Sequence, residues 1–186
     1  MTVHCSARRR NREAGFTLID LLFVIALIGL LSALAVPGLM RAKGAAQATS
    51  AVGTLQVVNS AELSFAIGCG QGFYSPDLPT LGIPPPGSID PYLAQELSGG
   101  FTVIKSGYLF SLAGTAIPGS PPTCNGLAAG QTSAGYAAVA DTLDPTAASP
   151  RFFGTNTDGL LYESGATLSL TMPETGAPPG GTLLKQ

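Results

Sequence analysis

From Leu21 to Met40 the chain runs through 20 consecutive uncharged residues, most of them aliphatic. A helix of that length, at about 1.5 Å per residue, spans about 30 Å, the hydrocarbon thickness of a bilayer. No other stretch is as long and apolar, so the expectation is a single-pass protein with one further domain. The segment that starts at Phe16 holds one charge, Asp20, just inside its first turn. A carboxylate carried into the end of a membrane helix is expensive and needs a partner.

The flanks give the segment a direction. Four of the nine basic residues, Arg8, Arg9, Arg10 and Arg12, lie upstream of it. Excess Arg and Lys marks the cytoplasmic side, which puts the N-terminus inside and the C-terminal portion outside. Beyond Phe16, five basic residues (Arg41, Lys43, Lys105, Arg151, Lys185) face ten acidic ones, which argues against a basic nucleic-acid groove. With Cys5 on the cytoplasmic side, Cys69 and Cys124 are the pair in the exported part. Such a pair reads as a disulfide worth roughly 4 kcal/mol in the loop-entropy account. Two separate buried thiols are the alternative.

An ordinary secretory leader ends in a small-residue cleavage site beyond its apolar stretch. None closes this one; Ser32-Ala33-Leu34-Ala35 imitates such a site but lies inside the run. The abrupt boundary is Gly15/Phe16, where a polar, basic leader meets the apolar helix. Gly15-Phe16-Thr17-Leu18-Ile19-Asp20-Leu21-Leu22 resembles the class III leader junction of type IV pilins and type II secretion pseudopilins.

That resemblance implies cleavage between Gly15 and Phe16 by a prepilin peptidase, and N-methylation of Phe16. It implies that Asp20, where the family usually has Glu, pairs with the N-terminal amine of a neighbouring subunit. The alternative for Asp20 is a carboxylate that reaches the headgroups without a partner. Pro37 breaks one backbone hydrogen bond and kinks or melts the turn before it. In the family a Pro at this place coincides with a stretch that loosens in the filament, and Pro37 matches it.

The expected fold is α+β, of the type IV pilin kind. One long N-terminal helix packs on an antiparallel sheet of three to four strands. Residues 1–15 form the cleaved leader, 16–40 the membrane or filament-core half of the helix, and 41–68 its amphipathic half. Residues 69–172 hold loops and the sheet, and 173–186 a loose tail. In the second half of the helix, Leu39, Ala42, Ala46, Thr49, Val52, Gln56, Asn59, Leu63 and Ala66 form a weak stripe at helical spacing. Val52, Leu55, Val58 and Phe65 supply a second face for a sheet.

Three Gly within residues 68–72 stop the helix, and residues 73–89, rich in Pro, read as loop. Asp90-Pro91 reads as an N-cap and first turn for a short helix from Tyr92 to Leu97, ending at Gly99-Gly100. Strands are expected at 101–104, 108–112, 136–140, 151–154 and 160–163. The last two flank a hairpin turning at Asp158-Gly159. Cys69 and Cys124 would then staple helix to sheet.

No catalytic constellation is present. The single His, His4, is in the leader, so neither a His-dependent triad nor a His-ligated metal site fits the exported part. Neither a metal-type Cys spacing nor a phosphate-binding Gly motif occurs. No cofactor and no nucleic-acid partner is assigned. Asp158 is a weak candidate calcium ligand by analogy with major pseudopilins; a turn-forming Asp is the better account.

The reading is a non-enzymatic filament subunit serving adhesion, motility or uptake. Its partners are copies of itself, a prepilin peptidase, an inner-membrane assembly platform and minor pilins. It begins in the inner membrane and ends in an extracellular or periplasm-spanning filament. A type II secretion pseudopilin is the first alternative, and a single-pass anchored binding domain the second.

Overall fold

The structure, a computed structural model, describes residues 17–145 and 150–184. The chain divides into two compact units, Met1–Lys43 and Gly44–Gln186. Helix α1 (Leu18–Gly68) contributes to both.

In the first unit every described residue is exposed, Leu18 through Met40 included. Among the described residues α1 is the one helix long and apolar enough to cross a membrane. It passes through Pro37-Gly38 without a break. The sequence expectation of a kinked or melted turn is met only by the lost amide of Pro37, which removes one bond from the ladder. A membrane helix tolerates one such loss.

The second unit is α+β, consistent with the pilin fold, but its sheet has six strands rather than three or four. β1 (Thr102–Lys105), β2 (Tyr108–Ala113), β3 (Ala137–Thr142), β4 (Phe152–Asn156), β5 (Leu161–Ser164) and β6 (Thr182–Leu183) form an antiparallel meander in chain order. The extra strand comes from the tail expected to be loose. Tyr162 pairs with Leu183 and Glu163 with Thr182, and the Leu184 amide donates to the Leu161 carbonyl at 2.8 Å. The two-residue pairing carries little β signal, which is why a Pro- and Gly-rich tail hid it.

The β1–β2 hairpin turns on Ser106 (φ 51°) and Gly107 (φ 80°). Two central residues at positive φ make the primed turn that matches strand twist, and glycine accepts it without a Cβ clash. Lys105 opposite Tyr108 closes the loop. β4 and β5 are joined through the expected Asp158-Gly159 turn, with Gly159 N–H donating to Asn156 O at 2.8 Å.

The core lies between the second half of α1 and one face of the sheet. Ala48, Ala51, Leu55, Val58 and Phe65 meet Tyr108, Phe110, Leu112, Tyr136, Ala138, Ala140, Phe153 and Leu161. The expected second face, Leu55, Val58 and Phe65, is therefore the core face, with Val52 half-buried. The expected stripe is not: Ala46, Thr49, Gln56 and Leu63 are exposed, and of its members from Ala46 on only Ala66 is buried. Small residues at 48 and 51 let the helix approach the strands closely. On the opposite sheet face Val139, Phe152 and Leu168 form a smaller cluster with Met172 against it, so β4 is buried along its whole length.

Two short helices depart from the sequence reading. Within the expected loop, α2 (Leu78–Leu81) is capped by Asp77, whose carboxylate accepts from Thr80 N at 2.9 Å. The other, α3 (Gln95–Ser98), begins at Gln95 rather than Tyr92 and has no side-chain cap. Asp90 is occupied otherwise: its amide donates to Ser88 Oγ at 3.0 Å, and that hydroxyl donates to Asp90 O at 3.2 Å. Leu93 N–H is meanwhile tied to Leu81 O at 3.0 Å, which keeps the intervening residues out of a helix.

Candidate functional site

Each unit contains part of what the sequence singles out. Gly15 and Phe16, the cleavage and methylation positions, lie outside the described residues. The first turn of α1 follows directly. Thr17 caps it, and Asp20 is the third helical residue. Asp20 Oδ2 accepts the Thr17 amide at 3.2 Å and also the Thr17 hydroxyl, while the Asp20 amide donates back to Thr17 Oγ1 at 3.3 Å. This is a reciprocal capping box, in which side chains satisfy amides that the helix ladder cannot. Asp20 is thus neither unpartnered nor dependent on a second chain for its first hydrogen bonds. Its Oδ1 takes no bond among the described residues. A negative charge here is also favoured by the helix dipole. Pro37 is about five turns further on, inside the same helix.

In the second unit Cys69 and Cys124 are joined as a disulfide. Cys69 is the residue after α1, and its position is set by the helix end. The amides of Cys69 and Gly70 both donate to Phe65 O at 2.8 Å, and Gly72 N–H donates to Ala66 O at 2.8 Å. Cys124 sits in the loop between β2 and β3. The staple therefore ties the helix end to a loop leaving the sheet.

Asp158 is exposed at the β4–β5 turn. Its Oδ2 accepts Gly176 N–H at 2.7 Å, and its own amide donates to Asn156 Oδ1 at 3.2 Å. Buried Asn156 in turn donates to the carbonyls of Pro173 (3.3 Å) and Gly176 (2.7 Å). Asp158 thus pins the C-terminal segment, and ligating calcium would require that oxygen to release an amide. Among the described residues no group of three His, Cys, Asp or Glu side chains could hold a metal ion.

Sequence reasoning missed a buried carboxylate. Glu62 is fully buried on the core face of α1. Its Oε2 accepts Ser75 N–H at 2.9 Å, and Oε1 has no partner among the described residues. Burial pushes its pKa up to about 8; the Ser75 amide pulls it down and Asp77 pushes it further up. The signal was available, because the spacing that selects Val58 and Phe65 also selects position 62. One turn earlier Asn59 Oδ1 accepts the Tyr136 hydroxyl at 2.8 Å, and its amide donates to Thr155 Oγ1 at 2.8 Å. The Tyr136 hydroxyl is raised by burial first, then by Glu62 and Tyr74. At the sheet's other end Arg151 grips Glu163 through Nε and through Nη2 at 2.9 Å, and stacks over the Phe153 ring at 5.1 Å.

A family model described as the prokaryotic N-terminal methylation motif matches residues 10–36. Comparison with curated proteins and with solved structures found no match. The matched stretch takes in the end of the basic leader from Arg10, the Gly15/Phe16 junction, the Asp20 cap and the apolar helix nearly to Pro37. The chain carries the class III prepilin leader of type IV pilins and pseudopilins.

Proposed function

We propose that the chain is the precursor of a structural subunit in a type IV pilus-like filament. The observation that carries this is the methylation motif at residues 10–36, whose Gly15/Phe16 junction stands before the apolar helix rather than after it. Cleavage between Gly15 and Phe16 removes the Arg cluster, retains the helix and creates a new amine. That amine, methylated on Phe16, is the partner offered to Asp20 of a neighbouring copy. The Thr17 cap supports this role, because it fixes the carboxylate at the helix start and leaves Oδ1 to accept. A paired charge recovers much of what an isolated one loses in hydrocarbon.

The partners of this reading are a prepilin peptidase, an inner-membrane platform, minor pilins and further copies of the chain. The precursor sits in the inner membrane with its N-terminus cytoplasmic. Adhesion, motility or uptake is the filament's task. The staple and a mature length of about 170 residues favour the pilus over the secretion pseudopilus.

Intact-mass measurement of protein purified from its host membrane tests the reading. Loss of residues 1–15 with gain of one methyl group is expected; a retained leader overturns it in favour of an anchored binding domain. Electron microscopy of the same cells separates the two filament types. Surface filaments that vanish on deletion support the pilus, and a secretion defect without surface filaments supports the pseudopilus.

A further inference from the structure

We propose that the Cys69–Cys124 bond is a directed thiol–disulfide exchange site for a Cys-x-x-Cys protein, with Cys124 the sulfur that is attacked and Cys69 the one that leaves. Exchange requires a thiolate to approach one sulfur along the line of the bond, so access decides which sulfur reacts. The two ends differ sharply in that respect. Cys69 is 4% exposed and belongs to the core, whereas Cys124 is exposed. Both line an open surface cavity of about 270 Å³, together with Ile67, Gln71 and Pro122.

The rim suits a protein thiol better than a small one. Ile67 is 79% exposed beside the bond, an apolar contact that a docking protein can cover. The segment Pro121-Pro122-Thr123 leads to Cys124, and Pro122 O is held by Gln71 Nε2 at 2.9 Å. The approach is therefore a loop segment braced by Gln71, with an apolar neighbour.

The electrons balance as follows. The attacking thiolate forms a bond to Cys124 Sγ, and the pair from the broken bond goes to Cys69 Sγ, which then takes a proton. The second thiol of the Cys-x-x-Cys protein, as thiolate, attacks its own mixed disulfide and releases Cys124 as a thiolate, which takes the second proton from water. The chain gains two electrons and two protons, and the partner becomes a disulfide; the reverse sequence oxidises the chain. Two local fields act on Cys69 as it leaves. The Asn125 amide donates to its sulfur at 3.1 Å and supports the charge, while the carboxyl end of α1 opposes it. These pull in opposite directions, so burial rather than charge selects the leaving sulfur.

The loop does not depend on the bond alone for its position. Asn125 Nδ2 donates to the carbonyls of Thr80 (3.0 Å) and Ile83 (3.3 Å). Tyr74 and Ser133 exchange backbone bonds at 2.8 and 3.1 Å. The reduced cysteines stay neighbours, and the bond re-forms within one chain.

The test uses the oxidised full chain in detergent micelles and a thioredoxin-type protein whose second active-site Cys is Ser. After acid quench and digestion, mass spectrometry assigns the mixed disulfide. An adduct on Cys124 in at least about tenfold excess over Cys69, formed without denaturant, is expected. An equal split, a preference for Cys69, or no adduct until guanidinium is added overturns the proposal. Pulse alkylation of the reduced wild type needs no variant: Cys124 should label about tenfold faster than Cys69, and equal rates count against it. Asn125→Ala should slow re-formation of the bond in dilute glutathione disulfide several-fold; an unchanged rate refutes the bracing role of the loop.

Discussion

Replacing Glu62 by Gln should flatten the alkaline half of the stability profile. Glu62 is 0% exposed, and one of its oxygens has no partner among the described residues. The groups that shape its titration are Asp77, which raises it, the Ser75 amide, which lowers it, and Tyr136, whose hydroxyl feels the same carboxylate. Unfolded, the group titrates at 4.5; folded, at about 8. Between those values the native state holds a proton that the unfolded chain has lost, so stability falls as pH rises. At about 1.4 kcal/mol per pH unit the full loss is bounded near 5 kcal/mol, reached above pH 8. Gln keeps an oxygen for the Ser75 amide and carries no charge at any pH. At pH 4 the variant should lie within about 1 kcal/mol of wild type, and at pH 9 it should be more stable by several.

All five tyrosines, 74, 92, 108, 136 and 162, lie in the second unit, and the chain has no Trp. Tyrosine fluorescence of the full chain in non-ionic micelles during guanidinium unfolding therefore reports on that unit. A 5 kcal/mol change moves the midpoint by about 1–2 M at the slopes usual for a domain of this size. A wild-type midpoint that stays flat or rises from pH 5 to 8.5 would refute the reasoning, as would an equal slope in Glu62→Gln.

At the acid end Glu163 acts in the opposite sense. The Arg151 hydrogen bond holds its carboxyl below the usual range, against some burial. Its stabilisation is present above the unfolded value and is lost as pH falls through the folded one; Arg151→Gln should flatten that acid limb in the same titration. Gly70→Ala places a Cβ against the Phe73 carbonyl and 2.9 Å from Phe65 Cε1. It should cost about 2 kcal/mol or more in thermal unfolding, and a loss under about 0.5 kcal/mol would refute the crowding. Asp158→Ala frees the Gly176 amide, so hydrogen exchange there should quicken at least tenfold while that of β2 is unchanged. Calcium addition that quickens exchange at Gly176 in wild type would instead revive Asp158 as a ligand, since the oxygen would have left that amide for the ion. Thr17→Val removes the cap hydroxyl and should fray the first turn of α1 by about 1 kcal/mol, read as faster exchange at residues 18–21.

What the sequence made legible was whatever rests on short-range rules. The apolar run is a count, the Asp-Gly turn is a dipeptide, and Tyr108, Phe110 and Leu112 alternate over a single strand. The failures lie where tertiary contacts outweigh local preference. Thr182–Leu183 becomes a strand because β5 offers it an open edge, not because of its composition. Asp90 has the residue type and the following Pro of an N-cap, yet Ser88 and the Leu93–Leu81 bond claim that turn. The stripe through Ala46, Gln56 and Leu63 has helical spacing, but spacing alone allows several faces. The core chose the one whose small residues, Ala48 and Ala51, admit the sheet. That choice carried Glu62 inside, against the rule that carboxylates face water.

The Thr17–Asp20 cap changes how the membrane segment is understood under the filament reading. Each Leu, Ile or Phe from Leu18 to Met40 is worth about 1.5–3 kcal/mol when taken out of water. Lipid tails and a bundle of neighbouring helices both supply that burial, so apolar area alone gives little drive from one to the other. The difference must come from polar groups, and Asp20 is the only charged side chain in the span. In lipid its Oδ2 already has two donors from Thr17, which lowers the cost of keeping it there. Among neighbours it gains the amine created at Phe16 while keeping those donors. The short Asp thus need not reach across to a second chain and also satisfy its own helix end with the same oxygen. A Glu at position 20 is longer by one methylene and can satisfy the same cap, so Asp20→Glu should assemble filaments as wild type does. Asp20→Asn retains an oxygen for the cap but not the charge, and should keep a protected first turn yet fail to assemble. Normal filaments from Asp20→Asn, counted by electron microscopy, would show that the cap and not the charge is what position 20 supplies.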